Sequence, residues 1–139
     1  MSIKKIIAIQ GDPVEKINIK TDTTFLLALE AQKRGYKIYW YETKDLNFIS
    51  SKLFISATEV KFYENKKKYF KIIKKNKFDL SKAKYVLIRQ NPPFNMDYVT
   101  STLLLDAIKN KTTIINDPTS VRNISEKLFS INFLKFMPP

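Results

Sequence analysis

Runs of consecutive apolar residues alternate with helix-like stretches along this chain. Residues 3–10 include the uninterrupted apolar run 6–9, which is typical of a strand buried on both faces. A polar loop follows, and Asp22 then supplies an N-cap for a predicted helix that ends near Gly35. Residues 36–42 form the next predicted strand. This order predicts a strand-helix-strand unit with parallel pairing and a right-handed crossover.

The middle of the chain has a different pattern. Apolar and polar residues alternate imperfectly over residues 52–62 and again over 69–73, with a polar turn at 64–67. Such alternation favours half-exposed antiparallel strands, so we expect a lysine-rich β-hairpin inserted into the α/β order, with lysines that protect an exposed edge. Residues 69–76 could equally form a short helix.

The α/β alternation resumes after the hairpin. Residues 85–88 and 112–116 are predicted strands, and residues 96–109 are a predicted helix with an apolar stripe. Asp117 and Pro118 mark a further helix start, and a last helix is expected over residues 125–137. The fold class predicted is therefore α/β: a doubly wound, mainly parallel sheet flanked by helices, in a single domain covering residues 1–139.

Composition excludes several kinds of chemistry. The 139 residues contain no histidine and no cysteine, which excludes Ser-His-Asp and Cys-His catalysis and thiolate or imidazole metal sites. Gly11 and Gly35 are the only glycines, so no glycine-rich phosphate loop is present. No apolar stretch is long enough for a signal peptide or a membrane span, and we expect a cytoplasmic protein without membrane association.

The positive charge is concentrated in one segment. The net charge is +12, and residues 61–84 hold ten lysines against Glu64 and Asp79. Interleaved aromatic residues would suit nucleic acid, but lysine far outnumbers arginine, whereas bidentate phosphate recognition favours arginine. We therefore expect no nucleic-acid partner.

Candidate site residues follow two predicted parallel strands. Asp12 lies just after the first strand and Arg89 after a later one, so parallel pairing places both at one edge of the sheet. The helix start at Asp22 adds free N–H groups that suit a carboxylate or phosphate, while Asp12 suits an ammonium. This pairing suggests an amino-acid-like ligand. Helix capping, local ion pairing and turn formation are the structural alternatives for the same residues.

Four segments, in order, resemble the amino-terminal domain of bacterial glutathione synthetase. The segments read NIKTDTTF (18–25), LEAQKRGY (29–36), RQNPPF (89–94) and NDPTSVRNISEKLF (116–129). Their order and spacing match over nearly the whole chain, and only the lysine-rich stretch at about 52–82 carries no recognisable signature of the family. The chain departs from the family at Thr23-Thr24, usually a serine pair, and at Gln90-Asn91, usually Lys-Asp.

The resemblance implies a ligase of the ATP-grasp superfamily that joins γ-glutamylcysteine to glycine through an acyl phosphate, with ATP and magnesium as cofactors. It also implies that the ATP-grasp domain lies outside this chain, that the chain binds neither cofactor alone and is inactive alone, and that the enzyme is a homo-oligomer. No catalytic or metal-binding residue is assigned here. The substrate wall implied for this domain consists of Asn18, Lys20, Asp22, Thr23, Thr24, Arg89 and Asn91, and Asp12 joins it from its place at the strand end.

Two other functions remain open from the residues. The same domain could serve a different ATP-grasp ligase that joins another carboxylate to an amine. Alternatively, the chain could be a stand-alone basic binding module.

Overall fold

The computed structural model describes residues 5–125 and 127–138, which form a seven-stranded mixed sheet with helices on both faces. The strands are β1 (Ile6–Gln10), β2 (Lys37–Tyr41), β3 (Leu46–Ile49), β4 (Lys52–Phe62), β5 (Phe70–Asp79), β6 (Tyr85–Ile88) and β7 (Thr113–Ile115). The α-helices are α1 (Thr23–Lys33), α2 (Met96–Asp106) and α3 (Pro118–Asn123). Short 3₁₀ helices cover Val14–Lys16, Thr43–Asp45, Leu80–Lys82 and Phe129–Phe136.

The parallel half of the sheet consists of β2, β1, β6 and β7 in that order. Its central strand β1 pairs with β2 on one side and with β6 on the other, and every residue from Ile7 to Gln10 is buried. This explains the uninterrupted apolar run at 6–9, because a strand covered on both faces has no polar face to alternate with. The predicted α/β class and parallel core are confirmed.

The two faces of the sheet carry separate apolar cores. Phe25, Ala28 and Leu29 of α1 pack with Ile9 and Ile38 on one face. The α2 residue Leu105 packs on the other face with Ala8, Tyr39, Tyr41 and Val86, all members of the second core. Helices on opposite faces of consecutive parallel strands make the sheet doubly wound, as predicted.

The antiparallel half is built around β4. One side of β4 pairs with β3 and then with β2, and its other side pairs with β5 along almost its full length. The β4–β5 pair is therefore an edge of the main sheet, and the helical alternative for residues 69–76 is wrong. Strand β3 was not predicted, because Leu46–Ile49 is mostly exposed and lacks a buried apolar face.

Strand β4 changes the face that it buries. Its first half buries Leu53, Ile55 and Ala57 in the α2-side core, and its second half buries Val60 and Phe62 in the α1-side core. This exchange accounts for the imperfect alternation in the sequence. Odd-numbered positions are apolar where α2 lies above, and even-numbered positions are apolar where α1 lies below.

The β4–β5 ribbon is attached to the α1 side by polar contacts at its far end. Gln32 donates from Nε2 to the Phe62 carbonyl oxygen at 3.0 Å and accepts from the Phe62 amide at 2.7 Å. The Tyr69 hydroxyl donates to the Val14 carbonyl oxygen at 3.0 Å. Phe25 contacts both Phe62 and Tyr69 edge to face, at ring-centroid distances of 5.8 and 6.2 Å. These contacts curl the ribbon toward α1.

The last predicted elements differ partly from the structure. Helix α3 begins at Pro118, as predicted, and the Asp117 carboxylate accepts the Ser120 amide at 2.8 Å. The predicted last helix over residues 125–137 is a 3₁₀ helix over Phe129–Phe136 rather than an α-helix, and Phe133 inside it has non-helical torsion angles. Residue 126 of this prediction lies outside the described residues. Five of its eight residues are apolar and all five are exposed, so no buried core stabilises a regular α-helix here.

Residues 3 and 4 of the first predicted strand lie outside the described residues. Within residues 5–125 and 127–138, no helix has the length and apolar character required to cross a membrane.

Candidate functional site

The loops that follow β1 and β6 meet at the carboxyl edge of the parallel sheet. Asn91 donates both its backbone amide and its Nδ2 to Asp12 Oδ2, at 3.2 and 2.7 Å. The Asp12 carbonyl oxygen accepts from Trp40 Nε1 at 2.8 Å. A Cβ at Gly11 would lie 2.4 Å from the Trp40 ring, so only glycine allows this close approach. The first loop is therefore fixed between the second loop and a buried tryptophan.

The amino end of α1 is the third component of this edge. Asp22 caps the helix through Oδ1, which accepts from the amides of Thr24 and Phe25 at 2.7 and 3.2 Å. The Thr24 hydroxyl in turn accepts from Arg89 Nε at 3.0 Å. Arg89 is exposed and makes no ion pair within the described residues, which leaves its terminal N–H groups for a ligand. The predicted convergence of the two loops and the helix tip is thus present.

These groups line a cavity of about 370 Å³ on the α1 side of the sheet. Five of the eight candidate residues contribute to it: Asp12, Asp22, Thr24, Arg89 and Asn91. The other three lie outside its lining. Asn18 accepts the Lys20 amide at 3.2 Å and closes a turn, Lys20 is exposed, and Thr23 is exposed at the first position of α1. Lys16 and Trp40 also line the cavity, although neither was among the predicted site residues.

A smaller cavity of about 160 Å³ lies on the α2 side of the same two loops. Glu42, Asp97 and Tyr98 contribute to its wall beside Asp12 and Asn91. Burial raises the pKa of Tyr98 above its ordinary value, Arg89 opposes the rise, and the charge of Asp12 adds to it. Tyr98 therefore keeps its proton at neutral pH and presents a neutral hydroxyl.

A buried glutamine beneath the loops was missed in the sequence. Gln10 is completely buried at the end of β1, and its Nε2 donates to Gln90 Oε1 at 2.7 Å and to Ser101 Oγ at 3.1 Å. In the part of the chain that the structure describes, Gln10 Oε1 and Gln90 Nε2 are buried without a partner. A polar residue that ends a fully apolar strand was the available signal. The pair joins β1, the second loop and α2.

The carboxylates at this edge have separate partners. Within the described ranges, no three acidic, histidine or cysteine side chains converge as metal ligands. Asp12 and Asp22 are separately engaged, the first by Asn91 and the second by the helix amides. The arrangement instead offers a planar cation, a helix N-terminus and a carboxylate around one small cavity. That set suits a ligand with both carboxylate and ammonium groups.

Comparison with known proteins gives a consistent result. A sequence-family profile described as "Prokaryotic glutathione synthetase, N-terminal domain" matches residues 6–122. The chain belongs to this family. The matched range includes β1, the tip of α1 and the loop after β6, so the glutathione synthetase N-terminal domain profile covers every candidate site residue.

Whole-protein relatives support the family membership. The chain is 42% identical to the glutathione synthetase of Bradyrhizobium diazoefficiens over 137 residues, which cover 99% of this chain and 44% of that protein. It is 39% identical to that of Mesorhizobium japonicum over 136 residues, covering 98% of this chain and 44% of that protein. The glutathione synthetase of Buchnera aphidicola subsp. Baizongia pistaciae is 40% identical over 129 residues, covering 91% and 40% of the two chains. The chain thus spans less than half the length of these curated relatives.

Proposed function

We propose that this chain is the N-terminal, substrate-binding domain of a glutathione synthetase. In this proposal the whole protein is an ATP-dependent ligase that joins γ-glutamylcysteine to glycine in the cytoplasm. The observation that carries the proposal is the family match over residues 6–122, together with relatives about 40% identical over nearly all of this chain.

The domain's role in this proposal is to form one wall of the γ-glutamylcysteine site. At neutral pH that dipeptide carries two carboxylates and one ammonium. Arg89 suits a carboxylate because a guanidinium can donate two parallel hydrogen bonds, and Thr24 holds its Nε at 3.0 Å. The α1 N-terminus adds partial positive charge, while Asp12 supplies an acceptor for the ammonium. Such a wall contributes by positioning the substrate.

The departure at Asn91 changes the electrostatics of this wall. With aspartate at position 91, two carboxylates would meet where the Asn91 amide now donates to Asp12 at 2.7 Å. The asparagine leaves one negative charge instead of two, and it orients Asp12 by two hydrogen bonds. We therefore assign ammonium binding to Asp12 and a positioning role to Asn91.

The chemical groups for the proposed reaction lie outside this chain. The proposed reaction activates the cysteinyl carboxylate as an acyl phosphate with ATP and magnesium, and the amine of glycine then displaces phosphate. The family resemblance, with which the presence of only two glycines in the chain agrees, leads us to assign these cofactors to an ATP-grasp domain of the longer protein. The 139-residue chain alone is proposed to be inactive.

We also propose that the domain contributes an oligomer contact. Leu26 and Leu27 are 60% and 44% exposed on the outer surface of α1, where a second copy could cover them. Analytical ultracentrifugation of the full-length protein and of its Leu26→Lys variant tests this. A smaller assembly in the variant supports the contact, and an unchanged assembly places the interface elsewhere.

The activity is tested with the full-length protein. ADP release and glutathione formation are measured with ATP, magnesium, γ-glutamylcysteine and glycine, and then with each substrate left out. The proposal predicts that glutathione forms only with all components, and that this chain alone forms none. ADP release with another carboxylic acid, but not with γ-glutamylcysteine, would instead identify a different ATP-dependent ligase. Lack of ADP release with every acid, combined with salt-sensitive binding to DNA, would favour the basic binding module.

A further inference from the structure

A second sizeable cavity lies beside the candidate substrate wall but not within it. Its volume is about 480 Å³, and it lies where the antiparallel ribbon curls over the edge of β2. The short 3₁₀ helix Val14–Lys16 contributes to its wall, and it shares only Pro13 and Trp40 with the cavity at Arg89. We call it the ribbon cavity and define it by six of its lining residues: Glu15, Trp40, Ser56, Thr58, Lys75 and Lys77.

A β-bulge brings two lysines to this cavity. The register of β4 against β5 shifts between Glu59 and Val60, so that Ile72 pairs with Val60 but Lys75 pairs with Thr58. Lys77 then pairs with Ser56. Without the extra residue, lysines 75 and 77 would lie on the face opposite Ile72, because successive strand residues alternate between faces. The bulge therefore places Lys75 beside Thr58 and Lys77 beside Ser56, as two cross-strand pairs on one face of the sheet.

These four side chains have capacity left for a ligand. Lys75 and Lys77 make no ion pair with any residue in 5–125 or 127–138, although Lys77 Nζ lies 4.4 Å from the centre of the Phe54 ring. No side-chain hydrogen bond of Ser56 or Thr58 is formed in the same part of the chain. Their neighbour Lys74 differs, because it is paired with Glu59 at 3.4 Å. Cross-strand pairs lie close enough for a lysine and a hydroxyl to contact one oxyanion together.

The carboxylates of the cavity are not equally available. Glu42 is paired with Lys44 at 3.1 Å, and Asp45 accepts the Glu42 amide at 2.8 Å. Glu15 is exposed and has no ion pair within the described ranges. The lining contains three lysines and three acidic residues, so it is close to neutral overall, which disfavours a polyanion. Of these charged lining residues, only Glu15, Lys75 and Lys77 make neither an ion pair nor a side-chain hydrogen bond within the described residues.

We infer that the ribbon cavity binds a small zwitterionic peptide, with its carboxylate at Lys75 and Lys77 and its ammonium at Glu15. Charge-assisted hydrogen bonds from lysine and from a neighbouring hydroxyl suit a terminal carboxylate. The volume of about 480 Å³ exceeds that of a single amino acid and is sufficient for a dipeptide. This inference does not depend on the proposed ligase activity, because Arg89 and the α1 tip do not line the ribbon cavity.

Binding of glycylglycine to the chain is the direct test, since this dipeptide has both charges and is neither substrate nor product of the proposed reaction. Isothermal titration calorimetry measures affinity, and the fluorescence of Trp40, the only tryptophan, provides a second signal. N-acetylglycylglycine lacks the ammonium and glycylglycinamide lacks the carboxylate. Each should bind about tenfold more weakly, which corresponds to the loss of one hydrogen-bonded charge contact.

Variants distinguish this cavity from other surfaces. Lys75→Gln with Lys77→Gln should weaken glycylglycine by about tenfold or more, and Glu15→Gln should abolish the preference over the N-acetyl compound. The matched control is Lys71→Gln, because Lys71 pairs with Lys61 on the opposite face of the same strand. A second control, Arg89→Ala, should leave this binding unchanged while it affects the proposed substrate wall.

The contradicting results are equally specific. Absence of glycylglycine binding overturns the inference, and so does binding that survives the double lysine substitution. Binding lost in Arg89→Ala but kept in the lysine variant would place the peptide at the Arg89 cavity instead. Because ligase activity is assayed separately, failure here leaves the proposed function intact, and failure of the ligase assay leaves this result intact.

Discussion

The parallel and antiparallel halves of the sheet differ in how they are packed and in how much charge they carry. The parallel half, β2-β1-β6-β7, is covered by helices on both faces, and its strand ends bring together Asp12, Arg89 and Asn91. The antiparallel half, residues 46–79, carries nine of the 22 lysines and is held to α1 by a few contacts at one end. The segment with the greatest charge is thus not the segment that holds the candidate substrate wall. Net charge is therefore a poor guide to the site in this fold.

The largest expected difference between the halves is in packing energy. Ile9 is completely buried in the parallel half, whereas Ile72 on the ribbon is 39% exposed. Ile9→Ala should lower the free energy of unfolding by about 2–5 kcal/mol, because it leaves a cavity between the sheet and α1. Ile72→Ala, the matched substitution, should cost less than about 1 kcal/mol. Urea denaturation of both variants measures the difference. Equal decreases in the free energy of unfolding would contradict the conclusion that the two halves differ in packing.

The ion pair between α2 and α3 should be next in size. Asp106 accepts from Arg122 at 2.6 Å and from the Thr119 hydroxyl at 3.0 Å, with both charged side chains mostly buried. Burial alone would raise the pKa of Asp106, but the hydrogen bonds of Arg122 and Thr119 and the charges of Arg122 and Lys109 together hold the pKa below its ordinary value of 3.8. Asp106→Asn should therefore destabilise the fold by about 1.5–3 kcal/mol at pH 7.

The effect of Asp106 depends on pH in a defined direction. A carboxyl with a lowered folded-state pKa stabilises the protein above its unfolded value of 3.8, and the contribution disappears as pH falls through the folded value. The difference between the native chain and Asp106→Asn should thus be constant near neutrality and shrink below pH 3.8. A difference that stays constant through the acid range would argue against the ion pair as its cause.

The attachment of the ribbon to α1 should have a smaller effect. Gln32→Ala removes both hydrogen bonds to the Phe62 backbone and should cost about 1–2 kcal/mol. Hydrogen exchange should increase in β4 and β5 but not in β1 or β6. Lys33→Ala is the control, because its pair with Glu64 is exposed on both sides and contributes little. Uniform exchange across both halves would mean that the ribbon does not open independently.

The sequence predicted the parallel half better than the antiparallel half for a physical reason. A strand buried on both faces has a simple sequence pattern, such as the apolar run that ends at Gln10. A helix cap such as Asp22 is equally local, because it bonds to amides two and three residues away. Strand β4 instead exchanges its buried face, and the bulge between Glu59 and Val60 has no local signature. These features depend on partners distant in sequence.

The candidate site was predictable to the extent that strand ends define it. Asp12, Asp22, Thr24, Arg89 and Asn91 line one cavity because parallel strands end at a common edge. Asn18 and Lys20 were selected by resemblance and Thr23 as part of the predicted helix tip, and none of the three lines this cavity. The buried Gln10 was missed because its role depends on Gln90 and Ser101, far along the chain.

The kinetics of Arg89→Ala in the full-length protein test the central claim, that the parallel edge binds the dipeptide. We predict that KM for γ-glutamylcysteine rises by about tenfold, as expected for one lost charged hydrogen-bond contact, while KM for ATP is unchanged. Lys71→Gln on the ribbon should change neither constant. Equal increases for both substrates, or a loss of thermal stability with unchanged constants, would contradict a substrate-binding role and leave Arg89 as a structural support for the loop.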